Sequence, residues 1–113
     1  MVESKIGRER RVYERVLARC PVRFKADREN VVYEGSTKDF SDGGLGLFTR
    51  SRLEPDMHLQ MWVRLTSEIK PLQIEGKVVW SEKRRPDLWR AGISFDQMAF
   101  IKIVKMLVSK NLN

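Results

Sequence analysis

The chain has 113 residues, of which 42% are hydrophobic and 33% charged, and a formal net charge of +7. That composition excludes a disordered or collagen-like chain and suits one domain around one core. No apolar run approaches the roughly 18 residues needed to span a bilayer, so no membrane insertion is expected.

The charge is concentrated at the start. Residues 1–28 hold nine basic side chains against four acidic ones, which leaves the remaining 85 residues close to neutral. Such a basic segment ahead of a near-neutral body suits an anionic partner, or simply a solvated tail. It has no apolar stretch of signal-peptide type. Residues 1–19 follow neither the strand nor the helix period and read as a flexible basic arm. The domain proper is then residues 20–113. The lone cysteine, Cys20, precedes Pro21 and an apolar strand, which predicts a buried thiol and fits a cytoplasmic setting.

From there the pattern alternates. Val22, Phe24 and Ala26 share one face of a strand over 22–26. A second strand is expected over 31–38, a hairpin turn at Asp42-Gly43 with positive φ tolerated at both residues, and a return strand over 45–50. Glu54-Pro55-Asp56 turns the chain again. Leu59, Met61, Val63 and Leu65 alternate with Gln60, Trp62, Arg64 and Thr66, and a break follows around Lys70-Pro71. Leu72, Ile74, Gly76, Val78 and Trp80 fall on one face of a long strand. Arg85-Pro86-Asp87 is a further turn, and Trp89, Ala91, Ile93 and Phe95 face inward on the last strand. The period then becomes helical. Asp96 is the expected N-cap, with Phe100, Ile101, Val104, Leu107 and Val108 at helical spacing. Six antiparallel strands and one helix predict an all-β domain: a six-stranded barrel with a C-terminal α-helix. Closure would remove exposed strand edges.

Two short patterns carry chemistry. Arg11-x-x-x-Arg15 lies in the arm, with Arg10 before it. Asp39-Phe40-Ser41-Asp42-Gly43-Gly44 reads D-x-S-x-x-G at the junction of two strands. Spaced arginines alone are more often a solvated pair, and Asp, Ser and Gly are ordinary turn formers. Asp42-Gly43 already supplies the turn, however, so turn chemistry does not require Asp39.

The two motifs in this order resemble the PilZ domain family, the bacterial receptors for cyclic di-GMP. The resemblance extends over nearly the whole chain. It includes Leu45-Gly46-Leu47 after the second motif, Gly76-Lys77-Val78-Val79-Trp80, and Ala91-Gly92-Ile93-Ser94-Phe95 before the helix. It implies a six-stranded barrel with a C-terminal helix and a ligand site formed by Arg11, Arg15, Asp39, Ser41, Gly43 and Gly44. It also associates an arginine at position 10 with a stacked pair of ligand molecules.

The residue types suit that ligand. Arginine forks onto phosphate oxygens or onto guanine O6 and N7, and its plane stacks on a base. An ionised Asp39 accepts from guanine N1–H and N2–H. Ser41 can donate to phosphate, and Gly44 would let a ligand approach the backbone. Trp80 could stack on a guanine, although its phase with Ile74 and Val78 favours the core. Trp89 reads as core, Trp62 as a residue without a role, and His58 as a loop histidine.

No metal-ligating cluster, nucleophile elbow or P-loop pattern is visible, and no enzyme activity or metal is expected. The expected function is a cyclic di-GMP receptor that changes its arm and signals to an unidentified downstream protein. Two other readings are a small basic barrel binding single-stranded nucleic acid, and a ligand-independent adaptor. The location of the charge on the arm makes nucleic acid the less suitable partner.

Overall fold

The computed structural model describes residues 16–112, with side chains through Leu107. Seven strands and one helix succeed one another in chain order: β1 (Val16–Leu17), β2 (Pro21–Ala26), β3 (Tyr33–Ser41), β4 (Gly44–Thr49), β5 (His58–Val63), β6 (Leu72–Arg85), β7 (Leu88–Ser94) and α1 (Gln97–Leu112).

Every pairing is antiparallel. The sheet runs β1-β3-β2-β5-β6-β7-β4, and the additional pairing of β3 with β4 closes six of the strands into a barrel. The predicted architecture of six barrel strands and a C-terminal helix is therefore the one that forms. Alternating side chains fill the interior, where Phe24, Phe40, Leu47, Met61, Val63 and Val78 are without solvent contact.

The helix starts where Asp96 caps it, with the Ala99 backbone N–H donating to Oδ1 at 2.9 Å. Its buried residues are Phe100 and Ile103, with Val104 and Leu107 packed beside them. Ile101, expected on that face, is largely exposed. The face is the i, i+3, i+4, i+7 stripe that begins at Phe100.

Three local differences from the sequence reading affect the site. First, Val16 and Leu17 pair with Phe40 and Asp39, so the last part of the expected arm is a short strand on the barrel. The link to β2 is pinned by buried Thr37, whose Oγ1 accepts from Cys20 N–H at 2.9 Å and donates to the Ala18 carbonyl. Second, β3 extends to Ser41 and contains a register shift between Thr37 and Asp39. Third, the Asp42-Gly43 turn forms, but neither residue has positive φ. Arg10, Arg11 and Arg15 lie outside the described residues.

Candidate functional site

The outer faces of β3, β4, β7 and β6 form an open cleft of about 280 Å3. Its centre is a row of four residues in register across four strands: Asp39 opposite Gly46, Gly46 opposite Gly92, and Gly92 opposite Trp80. A carboxylate thus borders one side and an indole the other, with two glycines as the floor between them.

The glycines leave room for what leans over them. A Cβ on Gly92 would lie 2.3 Å from Trp80 Nε1, and one on Gly46 would lie 3.0 Å from Asp39 Oδ1. Without side chains beneath them, both groups can lie low across the sheet.

Matching irregularities supply the two ends of the row. In β3, Thr37 pairs with Leu47 and Asp39 with Gly46, so Lys38 is an extra residue. In β6, Val78 pairs with Ile93 and Trp80 with Gly92, so Val79 is extra. A bulge turns two consecutive side chains to the same side and re-aims the rest of the strand. Thr37 and Val78 point into the barrel, whereas Lys38-Asp39 and Val79-Trp80 belong to the outer face. Trp80 is accordingly 41% exposed and lines the cleft. This overturns the core assignment suggested by its phase with Ile74 and Val78, because strict alternation holds only up to the bulge.

Asp39 is 8% exposed, and Lys38 Nζ lies 3.3 Å from its Oδ2. Arg90, which the sequence reading missed, also lines the cleft. Its guanidinium carbon lies 5.6 Å from the centre of the Trp80 ring, and its Nε is buried without a hydrogen-bond partner. The clue available in the sequence was its phase: Arg90, Gly92 and Ser94 alternate with the inward Ala91 and Ile93. On the same outer face, the Arg19 guanidinium lies over the Phe48 ring at 5.2 Å. Cations stacked on exposed aromatic faces have their planes presented and their donors partly free for an anion.

The rest of the second motif lies two residues along the strands. Ser41 pairs with Gly44, and Gly44 with Ser94. Ser41, Gly43 and Gly44 all line the cleft, and Ser41 Oγ donates to the Gly44 carbonyl at 3.3 Å. The structural demand for glycine falls on Gly44, where a Cβ would be 2.0 Å from the Ile93 carbonyl oxygen. Close contact between β4 and β7 therefore requires it, in addition to any room it leaves for a ligand. A Cβ on Gly43 would meet nothing within 4 Å.

The structure thus brings Asp39, Ser41, Gly43, Gly44 and Trp80 to one cleft and adds Arg90 and Lys38. The three arm arginines lie outside the described residues. Of the other residues considered, Trp89 is half-buried with Arg52 over its ring, Trp62 is half-buried on another face, and His58 is the exposed first residue of β5. Among the described residues, no group of three or more His, Cys, Asp or Glu could hold a metal, and no helix is long and apolar enough to cross a membrane.

A family model described as "PilZ domain" matches residues 9–107. No curated protein matches the chain in sequence. Among solved structures, the chain is similar to the PilZ domain of YcgR from Escherichia coli with c-di-GMP, at 14% identity and a TM-score of 0.65, covering 86% of this chain and 88% of that one. It is similar to the inhibitor of motility MotI (DgrA) from Bacillus subtilis, at 16% identity and a TM-score of 0.62, covering 89% of this chain but 51% of that one. It is also similar to the PilZ domain of CeSA from a cellulose-synthesizing bacterium, at 14% identity and a TM-score of 0.56, covering 86% and 97% of the two chains. At these identities the likeness shows the fold.

Proposed function

The chain belongs to the PilZ domain family, and on that premise we propose that it is a non-catalytic receptor that binds cyclic di-GMP in the glycine-floored cleft. The observation that carries this reading is the register row from Asp39 to Trp80. A carboxylate and an indole stand at opposite ends of a floor without side chains, which suits guanine N1–H and N2–H donors at one end and base stacking at the other. The solved YcgR domain, which has the same fold, holds c-di-GMP and supports the choice of ligand.

In this reading Arg11 and Arg15 fork onto the phosphates and a guanine, while Ser41 donates to a phosphate oxygen. Arg90 adds a stacked guanidinium from the far wall. Connectivity supports the arginines' part: the strand that follows them in sequence, β1, begins at Val16, opposite Phe40 and so next to the Ser41 end of the cleft. Arg10 adds a cation suited to a second, stacked ligand, so the expected stoichiometry is two ligands per chain.

Signal output arises from the same arrangement. Two arginines four residues apart repel until a polyanion neutralises them. The segment before Val16 would close on the ligand, and a downstream protein would read the resulting surface. Residues 5–15 should gain hydrogen-exchange protection with ligand, whereas Val16–Cys20, already held by β3 and Thr37, should change little. Equal protection of residues 5–15 in both states would remove the closing step. A cytoplasmic site of action belongs to this proposal.

The deciding experiment is calorimetric titration with cyclic di-GMP of the chain and of an Arg11→Ala, Arg15→Ala variant, with GTP as control. Saturable binding that the variant loses is expected. A folded chain that takes up no cyclic di-GMP would refute the receptor reading and point to a ligand-independent adaptor. One ligand per chain would remove the role given to Arg10.

A further inference from the structure

A second concavity lies on the other side of β3, over the outer faces of β2 and β5. At about 650 Å3 it is larger than the cleft. Its floor is Trp62, an outward residue between fully buried Met61 and Val63. Pro21, Val32 and Pro71 form apolar walls, and Val32 is half exposed.

The charges around it are unequal. Arg23 is in register with Trp62, and Lys25, with Gln60, is the next outward residue of β2. Arg64 lines the groove and makes no ion pair among the described residues. The single acidic lining residue, Glu34, lies 3.8 Å from Arg23. An aromatic floor, apolar walls and an unmatched cation form the kind of pocket that takes a large side chain flanked by carboxylates.

We propose that the Trp62 groove is the docking site for an acidic segment of a partner protein, one that seats an aromatic or large aliphatic side chain on Trp62 beside Asp or Glu facing Arg64. This deepens the partner reading above. A single-stranded nucleic acid fits less well, because the groove offers one aromatic rather than a series. Glu34 would also face its phosphates.

The test is selection of a random peptide library displayed on phage against the purified chain. Labelled peptides that emerge are then titrated against wild type, Trp62→Ala and Arg64→Glu. Enriched peptides should carry an aromatic or large aliphatic residue next to Asp or Glu, and both variants should weaken them at least about tenfold, as loss of an interface anchor does. Arg64 is exposed, so Arg64→Glu carries the test alone if Trp62→Ala fails to fold. No enrichment, enriched peptides without acidic residues, or binding unchanged in Arg64→Glu would overturn the proposal. Oligodeoxythymidine binding that Trp62→Ala abolishes would overturn it in favour of nucleic acid. Cyclic di-GMP titration of the same preparations reports on the receptor reading separately, so either can fail without the other.

Discussion

The cleft face and the Trp62 face come from the same barrel and differ in how closely they keep the strand period. Around Trp62, β2 and β5 pair from Val22 opposite Val63 to Ala26 opposite Leu59 without a shift. Each outward position carries a side chain, and the concavity is walled by apolar groups. The cleft face breaks the pattern twice, at Lys38 and at Val79, and leaves out side chains at Gly46 and Gly92. Regular pairing makes a surface for contact. Interrupted pairing makes a hollow with a carboxylate, an indole and a guanidinium held around it.

The sharpest way to test that contrast is at Gly44. A methyl there would meet the Ile93 carbonyl, so Gly44→Ala should lose about 3 kcal/mol in urea unfolding, in the upper part of the overpacking range. Gly43→Ala, with open space around it, should stay within about 0.5 kcal/mol. Equal effects would show that the approach of β4 to β7 is not what requires glycine. Next comes Thr37→Val, which leaves the buried Cys20 N–H and the Ala18 carbonyl without their partner and should cost about 2 kcal/mol. Its measurement is the same urea midpoint.

Trp80→Ala and Trp62→Ala compare the faces directly. The first should weaken cyclic di-GMP about tenfold, equivalent to about 1.4 kcal/mol. The second should leave that affinity unchanged in the same calorimetric titration. A loss at Trp62 as large as at Trp80 would break the division of labour between the faces.

The smallest effect concerns Cys20, on the link between β1 and β2. Burial raises its thiol above the ordinary value of 9.0, while the hydrogen bond with Thr37 opposes this. The unfolded chain then releases this proton at lower pH than the folded one, so the thiol's contribution to stability is intact below pH 9.0 and is lost as pH rises through the raised value. Stability of the wild type should fall more steeply above pH 9.0 than that of Cys20→Ala.

Much of this was legible in the residues. The inward sets Val22-Phe24-Ala26 and Met61-Val63, the final Ala91-Ile93 pair and the Asp96 cap result from period and capping chemistry alone. The D-x-S-x-x-G motif identified one wall of the cleft. The other wall was harder to read because Val78-Val79-Trp80 is a run of three apolar residues, which fits either phase and does not say which residue is extra. Arg90 was missed for a related reason, since its importance comes from stacking on a tryptophan whose direction the pattern misassigned. β1 is two residues long, too short for any periodicity to reveal.

The extra residue in β6 also frees the cleft from strict spacing along the chain. Val79 is 54% exposed and carries no polar side-chain group, yet it sets the phase of the strand from Trp80 up to the next irregularity before Arg85. Deleting it would remove the bulge and leave ordinary alternation. Val78 would stay opposite Ile93 and Trp80 opposite Gly92, now as consecutive residues, so the indole would still face outward and Ser81, which donates to the Leu53 carbonyl at 2.7 Å, would keep its place. A one-residue gap at this point would therefore leave the indole wall standing, whereas keeping Val79 in a strand without the bulge would turn Trp80 inward, so a sequence comparison within the fold must weigh spacing as well as identity.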